Sequence, residues 1–459
     1  MKHLVDKYNA AAPYYTSYPT MPYWEIPEFN KSKWERSVKQ SFNESNAKYG
    51  ISLYINLPFC ESLCTHSNCN AHITKNHCAE LPYINAVLKE WSMYRDIMVE
   101  QPVIREIHLG GGTPTFFSAI NLQLLIDGLL EGVHIHPKAE FSFEGHPAST
   151  TVEHLQTLYD LGFRRLSLSI QDFDPRVQFI IHHEQSYEQV KYVTQQARRI
   201  GYTAIDFNQV YGLPTQTTGG LTSTLQQVVK LMPDRIAFYS YANAPCATPG
   251  QMLFTEQDFP DTALKNSLYE TGRELLTNCG YLEIETHQFA LPDDSLSQAK
   301  KSGNMHRSFM GYTHQHTQLL IGLGASAISD AFYAFAQNVR TVEAYINLAE
   351  NELGLIHTGT LPVFKGHFLT HDDLIFRKHI HNIMCKGYTT WNHRTEPCHA
   401  LFDGIDRLRP LADDGLIELN SWGLKVTQRG KGFLRNICMA LDARLWAKIP
   451  DSQLFSTAN

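Results

Sequence analysis

Three cysteines fall within eleven positions of the stretch "FCESLCTHSNC", residues 59–69, at Cys60, Cys64 and Cys69. Thiolates bind iron–sulfur clusters and zinc well, and closely spaced cysteines let one loop wrap around a metal. An iron–sulfur cluster is therefore one interpretation of this cysteine loop, and buried free thiols are a weaker one. Zinc is a third interpretation, because the neighbourhood supplies further ligands in His66, His72, His77 and Cys78.

Two more groups that can bind a ligand follow the cysteine loop. In "GGGTPT", residues 110–115, three glycines let the backbone approach a ligand closely, although a tight strand-to-helix turn explains them about as well. The segment lacks the Gly-x-x-x-x-Gly-Lys pattern of a phosphate loop, so a nucleoside triphosphate is not expected. Glu144, in "FSFEGHP", is a carboxylate at a predicted strand end, where we favour a ligand contact over a solvated edge residue.

An alternation of strands and helices must position these residues. "ISLYINLPF" begins a series of six strand-like runs that reaches residue 241, and the helix over 80–98 between the first two carries Leu81, Ile84 and Trp91 on one face. Repeated strand–helix units predict an α/β fold with a parallel sheet, either a barrel or a doubly wound sheet, with function at the carboxyl ends of the strands. Residues capable of chemistry gather at those ends: Cys60, Gly110 to Thr113, Glu144, Gln171, Asn208 and Ala242.

The sequence predicts three units. Residues 1–50 form an arm and a helix, residues 51–365 form the α/β barrel, and residues 366–459 form a smaller, mainly helical, winged-helix-like domain. We expect the aromatic arm residues Tyr14, Tyr15 and Tyr18 to close over the barrel mouth. The C-terminal unit has no concentrated basic face, so nucleic-acid binding is not expected.

Composition narrows the class further. The 459 residues are 43% hydrophobic with a net charge of −7, which argues against a broad nucleic-acid surface. No apolar run reaches the ~18 residues of a membrane span, and "MKHLVDKYNA" is not a signal peptide, so we expect a cytoplasmic protein without a membrane partner. Nine cysteines with three clustered suggest a metal site in a reducing compartment. We expect a monomer.

A family resemblance adds to this interpretation. "YINLPFCESLC" followed by "GGGTPT" resembles the opening of a radical S-adenosylmethionine enzyme, and the match narrows to the oxygen-independent coproporphyrinogen III oxidases. It implies an incomplete (β/α)6-type barrel with an N-terminal arm and a smaller helical C-terminal domain. The motifs that carry it occur in order over nearly the whole chain: "APYYTSYPT", "HLGGGTPT", "SIQDFDPRVQ", "VYGLP", "AFYSYA", "FALPDD", "FMGYT", "IGLGASAIS" and "RNICM".

The resemblance also implies a chemistry, the oxidative decarboxylation of coproporphyrinogen III to protoporphyrinogen IX in porphyrin and haem biosynthesis. In the family, three cysteines spaced C-x-x-x-C-x-x-C hold a 4Fe–4S cluster, and S-adenosylmethionine completes the fourth iron. An electron-donor protein would reduce the cluster, which cleaves S-adenosylmethionine to a 5′-deoxyadenosyl radical, and this radical takes a hydrogen from a propionate of the tetrapyrrole substrate. Loss of carbon dioxide then leaves a vinyl group.

Carried over residue by residue, Cys60 and Cys64 match the first two cluster ligands. The contacts to the S-adenosylmethionine on the cluster match Tyr54, Gly111, Glu144 and Ile328. The contacts to a second such molecule match Gly112, Thr113, Gln171 and Ala242, with His183 and Asn208 at two further positions of that site.

The departures from the family pattern gather at this same site. Ser67 occupies the third ligand position and Cys69 matches the next cysteine, so a re-spaced loop that uses Cys69 is an alternative. His183 replaces an expected arginine and Asn208 an expected aspartate, while Asn56 replaces an expected histidine. We therefore predict impaired decarboxylation. Two alternatives are a non-catalytic relative that binds tetrapyrrole, haem or a protein, and a related radical enzyme with a changed cluster or substrate.

Overall fold

A computed structural model describes residues 2–8, 12–24, 29–61, 72–241, 254–285, 287–350, 361–392 and 398–447. The strands in these ranges are β1 Ile51–Leu57, β2 Phe59–Cys60, β3 His72–Ile73, β4 Val103–Gly111, β5 His134–Gly145, β6 Arg165–Gln171, β7 Ala204–Tyr211, β8 Arg235–Ser240, β9 Leu282–Glu285, β10 Gln288–Ala290, β11 His306–Ser308, β12 Gly311–Thr313, β13 Leu320–Leu323, β14 Ile328–Asp330, β15 Ala334–Asn338, β16 Val363–Phe368, β17 Tyr388–Thr390, β18 Ile417–Asn420 and β19 Gly423–Val426.

The helices in the same ranges are α1 Lys2–Lys7, α2 Lys31–Tyr49, α3 Glu80–Ile97, α4 Ala119–Leu130, α5 Val152–Asp160, α6 Pro175–Ile180, α7 Tyr187–Ile200, α8 Thr218–Lys230, α9 Thr262–Asn278, α10 Ser295–Ser302, α11 Val342–Glu350, α12 His371–Lys386, α13 His399–Asp413, α14 Leu434–Leu441 and α15 Ala443–Ala447. None of the described helices combines the length and the apolar composition needed to cross a bilayer.

Six parallel strands, in the order β1-β4-β5-β6-β7-β8, form the centre of one large sheet. A helix returns the chain between successive strands, as the alternation in the sequence predicts. Side chains on the outer face of these strands are fully buried against the helices, and they include Leu53, Ile107, Phe143, Leu168 and Phe207. The predicted incomplete barrel is confirmed.

Short strands extend the sheet on both sides of this centre. Beyond β1 lie β13, which is parallel to it, and then the antiparallel β14, β15 and β16. Beyond β8 lie the antiparallel β10 and β9. The sequence analysis did not predict these strands, because runs of three to six residues give too little alternation to recognise. The domain boundary near 365 falls inside β16, and the three-unit division stays a prediction.

The helix α3 buries most of the apolar stripe that the sequence predicts. Ile84 and Trp91 are buried as expected, but Leu81 is 48% exposed, so its prediction is wrong. The buried face also includes Tyr83 and Glu90, which lie seven positions, or two helical turns, apart. Glu90 is a carboxylate in the core and needs buried donors to be tolerated there.

The C-terminal unit packs helices against a small sheet of β17, β19 and β18. The arm residues Tyr15 and Tyr18 are buried in the hydrophobic core of this unit, and the Tyr15 hydroxyl donates to Asp442 at 3.0 Å. The prediction that these two rings cover the barrel mouth is therefore wrong, because the C-terminal helices supply the apolar surface that buries them. Tyr14 stays 43% exposed.

A buried ion network closes the amino-terminal end of the barrel. Arg165 pairs with Asp206 at 2.8 Å, with Asp294 at 3.2 Å and with Glu140 at 3.4 Å. Arg235 shares Asp294 at 2.7 Å. Burial opposes the charge of Arg165, but these carboxylates hold its pKa above the ordinary value. We call the opposite end of the barrel, at the carboxyl ends of its strands, the barrel mouth.

Candidate functional site

The concave face of the barrel is polar because successive strand residues point to opposite faces. Alternate positions on the parallel strands place polar side chains inside: Tyr54, His108, Ser142, Glu144, Ser167, Asn208 and Tyr239. Tyr239 is 44% exposed although its strand lies well inside the sheet. Because Tyr239 lies on the concave face, its ring borders the interior of the barrel, and burial there raises its pKa. Such a space can hold a ligand.

Three side chains converge on Gly110. The rings of Tyr54 and His108 stack with centroids 5.9 Å apart, and His108 Nε2 lies 3.5 Å from a Glu144 carboxylate oxygen. A hydrogen bond of 2.8 Å between His108 Nδ1 and Ser142 Oγ fixes the imidazole. A Cβ on Gly110 would lie 3.1–3.2 Å from atoms of Tyr54, His108 and Glu144. The glycine therefore keeps open the place where these groups meet.

The next two glycines are required by the backbone itself. Gly111 has φ of +108°, and a Cβ there would lie 2.1 Å from Asn56 Oδ1. A Cβ on Gly112 would lie 2.7 Å from the carbonyl of Pro58. The Asn56 amide is itself held, because its Nδ2 donates to the Ala325 carbonyl at 2.6 Å. We call residues 110–112 the glycine loop.

The glycine loop is tied to the start of the cysteine loop. The Gly112 and Thr113 amides donate to the carbonyls of Leu57 and Phe59, both at 2.9 Å. As a result Cys60 Sγ lies 3.4 Å from Thr113 Oγ1, so the first predicted ligand stands beside the predicted cofactor contacts. Cys64, Cys69 and the serine between them lie outside the described residues.

The described ends of the cysteine loop are pinned on both sides. The His72 amide donates to the Pro58 carbonyl at 2.7 Å, so β3 runs beside β2. His77 Nδ1 lies 2.7 Å from Glu80 Oε1. Glu80 Oε2 accepts from the Ser118 amide at 2.9 Å and from Asn121 Nδ2 at 2.7 Å. Within the described ranges, no three His, Cys, Asp or Glu side chains are arranged to hold a metal.

The zinc interpretation has less support in this geometry. His77 points to a buried carboxylate and stacks on Phe116 with ring centroids 4.5 Å apart, while His72 faces Glu343 at 3.3 Å. Cys78 is exposed. His66 lies outside the described residues.

A second row of predicted site residues lies at the ends of β6 and β7. Gln171 is buried with φ of +64°, a strained conformation for a residue other than glycine, and its Oε1 is buried without a hydrogen-bond partner in the described part of the chain. His183 Nε2 lies 3.2 Å from the Ser169 carbonyl, and its ring contacts that of His146 edge to face at 4.9 Å. Asn208 Nδ2 lies 3.4 Å from Ser167 Oγ. Ala242 lies outside the described residues.

Asp172 fixes the strained turn at Gln171 and was missed by the sequence analysis. It is fully buried, and it accepts from Thr224 at 2.5 Å, from Gln216 at 2.7 Å and from the Asp174 amide at 2.8 Å. Burial raises its pKa, and these donors act in the opposite direction. The "QDFDP" stretch gave a possible signal, because an acidic residue follows the end of a strand.

The predicted contact Ile328 is brought to the same mouth by β13 and β14. Gly322 is the register partner of Tyr54, and a Cβ on it would lie 2.3 Å from the Ile328 carbonyl. The turn between these strands is held by Glu90, which accepts from the Gly324 amide at 3.0 Å and from Asn338 at 2.7 Å, and also from the Tyr345 hydroxyl. Burial raises the pKa of Glu90 to about 7.

The fold and this constellation match one class of protein. The Radical SAM superfamily matches residues 55–228, the span from β1 to α8 that carries the glycine loop and Glu144. The structure of coproporphyrinogen III oxidase from Escherichia coli, described as a radical SAM enzyme, superposes with a TM-score of 0.87 at 31% identity. The superposition covers 97% of this chain and 99% of the Escherichia coli chain.

Whole-length relatives narrow the class. The oxygen-independent coproporphyrinogen III oxidase of Escherichia coli strain K12 is 33% identical over 453 residues, 97% of this chain and 95% of the relative. That of Helicobacter pylori strain 26695 is 34% identical over 449 residues, 96% of each. The chain belongs to the oxygen-independent coproporphyrinogen III oxidase family, which confirms the resemblance drawn from its motifs.

Proposed function

We propose that this chain binds S-adenosylmethionine and coproporphyrinogen III at the barrel mouth and acts in the oxidative decarboxylation of propionate side chains, with turnover limited at the cysteine loop. The observation that carries the proposal is the convergence of Tyr54, His108 and Glu144 on Gly110, beside the Cys60–Thr113 contact. The relatives named above are oxidases of coproporphyrinogen III, which supports the substrate.

The described residues fit S-adenosylmethionine. Glu144 offers a partly exposed carboxylate for the cationic amino group or a ribose hydroxyl, and the glycine loop leaves room beside it. The buried Oε1 of Gln171, which has no hydrogen-bond partner among the described residues, is an acceptor for a second polar ligand. The side chains of this chain would bind and orient the cofactor and exclude water, while the cluster and S-adenosylmethionine together would supply the radical chemistry when bound.

The cysteine loop is where we place the limit on turnover. Cys60 stands at the mouth, but the family's third ligand position holds Ser67. A neutral hydroxyl is a poor iron ligand beside a thiolate, because iron–sulfur clusters are held almost entirely by sulfur. His183 and Asn208 also lack the charges that the family pattern places near the second cofactor.

We propose that the protein is a cytoplasmic monomer reduced by an electron-donor protein.

Anaerobic reconstitution with iron and sulfide tests the proposal. Ser67→Cys should raise iron content toward about four per chain, because it restores three thiolates at the family spacing. Cys69→Ser should abolish the cluster of the wild type only if Cys69 has become the third ligand. Cys279→Ser is the control, since Cys279 is an exposed free thiol after α9.

Turnover of coproporphyrinogen III is measured on the same samples. We expect Ser67→Cys to gain cluster and slow cleavage of S-adenosylmethionine with little decarboxylation, because His183 and Asn208 are unchanged. A wild-type protein with a complete cluster and fast decarboxylation would contradict the limit at the cysteine loop. Absence of porphyrin and S-adenosylmethionine binding in both proteins would contradict the proposed function as a whole.

A further inference from the structure

His108 lies at the centre of a row of side chains on the concave face of the barrel. It is the register partner of Tyr54 on β1 and of Ser142 on β5, so these three side chains lie side by side across neighbouring parallel strands. The family motifs gave Tyr54 and Glu144 as cofactor contacts and gave no role to His108. The contacts of its ring indicate one.

The imidazole of His108 is held from two sides. Its Nδ1 lies 2.8 Å from Ser142 Oγ, and the serine is buried. The ring of Tyr54 is nearly parallel to the imidazole, with an angle of 17° between the ring planes and 5.9 Å between the centroids. Because a buried hydroxyl and a stacked ring both restrict rotation of the imidazole, the direction of Nε2 is fixed.

The nitrogen that is fixed in this way faces Glu144. His108 Nε2 lies 3.5 Å from Glu144 Oε1. The contact passes over Gly110, where an added Cβ would lie 3.1 Å from His108 Nε2 and 3.2 Å from Glu144 Cδ. The absence of a side chain at this glycine therefore lets the imidazole reach the carboxylate on the next strand.

His108 is the basic partner of Glu144. Among the described residues, no other basic side chain lies within ion-pair distance of this carboxylate, and its register partner on β6 is the neutral Ser167. An ionised carboxylate only accepts hydrogen bonds, so the imidazole nitrogen that faces it carries a hydrogen. The Glu144 side chain remains 38% exposed, and 3.5 Å is longer than an ordinary hydrogen bond, so the carboxylate can still accept from a ligand.

We propose that His108 is a positioning residue, which is held by Ser142 and Tyr54 and orients the Glu144 carboxylate for S-adenosylmethionine. This inference rests on the proposed function, because it concerns how the carboxylate is prepared for that cofactor. A glutamate side chain that is already oriented loses less conformational freedom when the ligand binds. His108 therefore strengthens binding through Glu144.

Equilibrium dialysis of S-adenosylmethionine against the anaerobically reconstituted protein tests this role, without reductant so that the cofactor is not cleaved. His108→Asn should weaken binding about 5- to 10-fold, because the shorter amide reaches Ser142 but not Glu144. His108→Gln should stay within about 3-fold of the wild type, since its amide nitrogen can take the place of Nε2. His134→Asn is the matched control, at an exposed histidine where β5 begins, and it should bind like the wild type.

A double-mutant cycle separates positioning from a general structural effect. In a Glu144→Gln background, His108→Asn should weaken binding by less than about 2-fold more, because the carboxylate that His108 orients is already absent. Equal binding by His108→Asn and the wild type, equal losses in the asparagine and glutamine variants, or additive losses in the double variant would overturn the inference and leave the proposed function standing. A wild type that does not bind S-adenosylmethionine would overturn both.

Discussion

A methyl group added at Gly112 should push apart two segments of backbone. The Cβ of alanine would lie 2.7 Å from the Pro58 carbonyl carbon and oxygen and 2.8 Å from the Phe59 oxygen. Since ordinary contacts to carbon are about 3.5 Å, the segments must separate by roughly 0.7 Å. Backbone atoms cannot rotate out of the way as the tip of a side chain can.

The magnitude follows from what this shift disturbs. Overpacking of this kind costs about 1–3 kcal/mol. Weakening the hydrogen bonds from the Gly112 and Thr113 amides, both 2.9 Å, adds about 0.5–1.5 kcal/mol each. We therefore expect Gly112→Ala to lower the free energy of unfolding by about 2–6 kcal/mol, a large part of the ~5–15 kcal/mol typical of a domain.

Two other glycines make a graded series with this one. Gly219→Ala is the control, because nothing lies within 4 Å of its Cβ, and in helix α8 alanine should be neutral or stabilising by up to about 1 kcal/mol. Gly110→Ala should cost less stability than Gly112→Ala, since its nearest neighbours are side-chain atoms of His108, Glu144 and Tyr54. It should weaken S-adenosylmethionine binding, because those side chains must move.

Urea unfolding followed by circular dichroism measures all three variants against the wild type. We expect the unfolding midpoint to fall most for Gly112→Ala, slightly for Gly110→Ala and not at all for Gly219→Ala. If Gly112→Ala unfolds at the same urea concentration as Gly219→Ala, the close approach of the glycine loop to the cysteine-loop backbone is refuted.

Three further predictions concern single polar contacts. Glu144→Gln should weaken binding of S-adenosylmethionine to reconstituted protein roughly 10- to 100-fold, measured by equilibrium dialysis. The control Glu188→Gln, at an exposed carboxylate, should bind like the wild type, and equal affinities of the two variants would contradict the role of Glu144. The pKa of Glu90 rises on folding from 4.5 to about 7, so the fold favours the protonated carboxyl group. The contribution of Glu90 to stability is therefore complete below pH 4.5 and is lost as the pH rises through 7. Between pH 4.5 and 7 the wild type should lose about 3 kcal/mol of its free energy of unfolding through this group, and Glu90→Gln should not show that loss. If urea unfolding of Glu90→Gln has the same pH profile as that of the wild type, this prediction is wrong. Tyr15→Phe removes a buried donor to Asp442, so it should lower the free energy of unfolding by about 1–3 kcal/mol, and an unaltered urea midpoint would show that the bond contributes little.

Several features of the fold and site could be predicted from the sequence because they depend on neighbouring residues along the chain. Alternation of apolar positions predicted β1 and β4 to β8, and these strands bury Ile107 and Leu168 as expected. The glycines at the end of β4 predicted a close approach to a ligand or a tight turn, and the structure shows that Gly112 packs against the backbone of Pro58 and Phe59. The family motifs added the predicted cofactor contacts, of which Tyr54 and Glu144 lie together at the mouth.

The remaining features depend on which distant segments meet, and no local pattern records that. Glu90 holds a turn more than 200 positions away along the chain, and no local pattern around it indicates this contact. Tyr15 and Tyr18 do not cover the barrel mouth as predicted, because their rings are buried in the core formed with the C-terminal helices. The periodicity of the sequence determines which face of a strand or helix is buried. Which charged residues share a site is decided by the packing of whole elements, because it depends on the register of the sheet and on how the arm and the C-terminal unit pack.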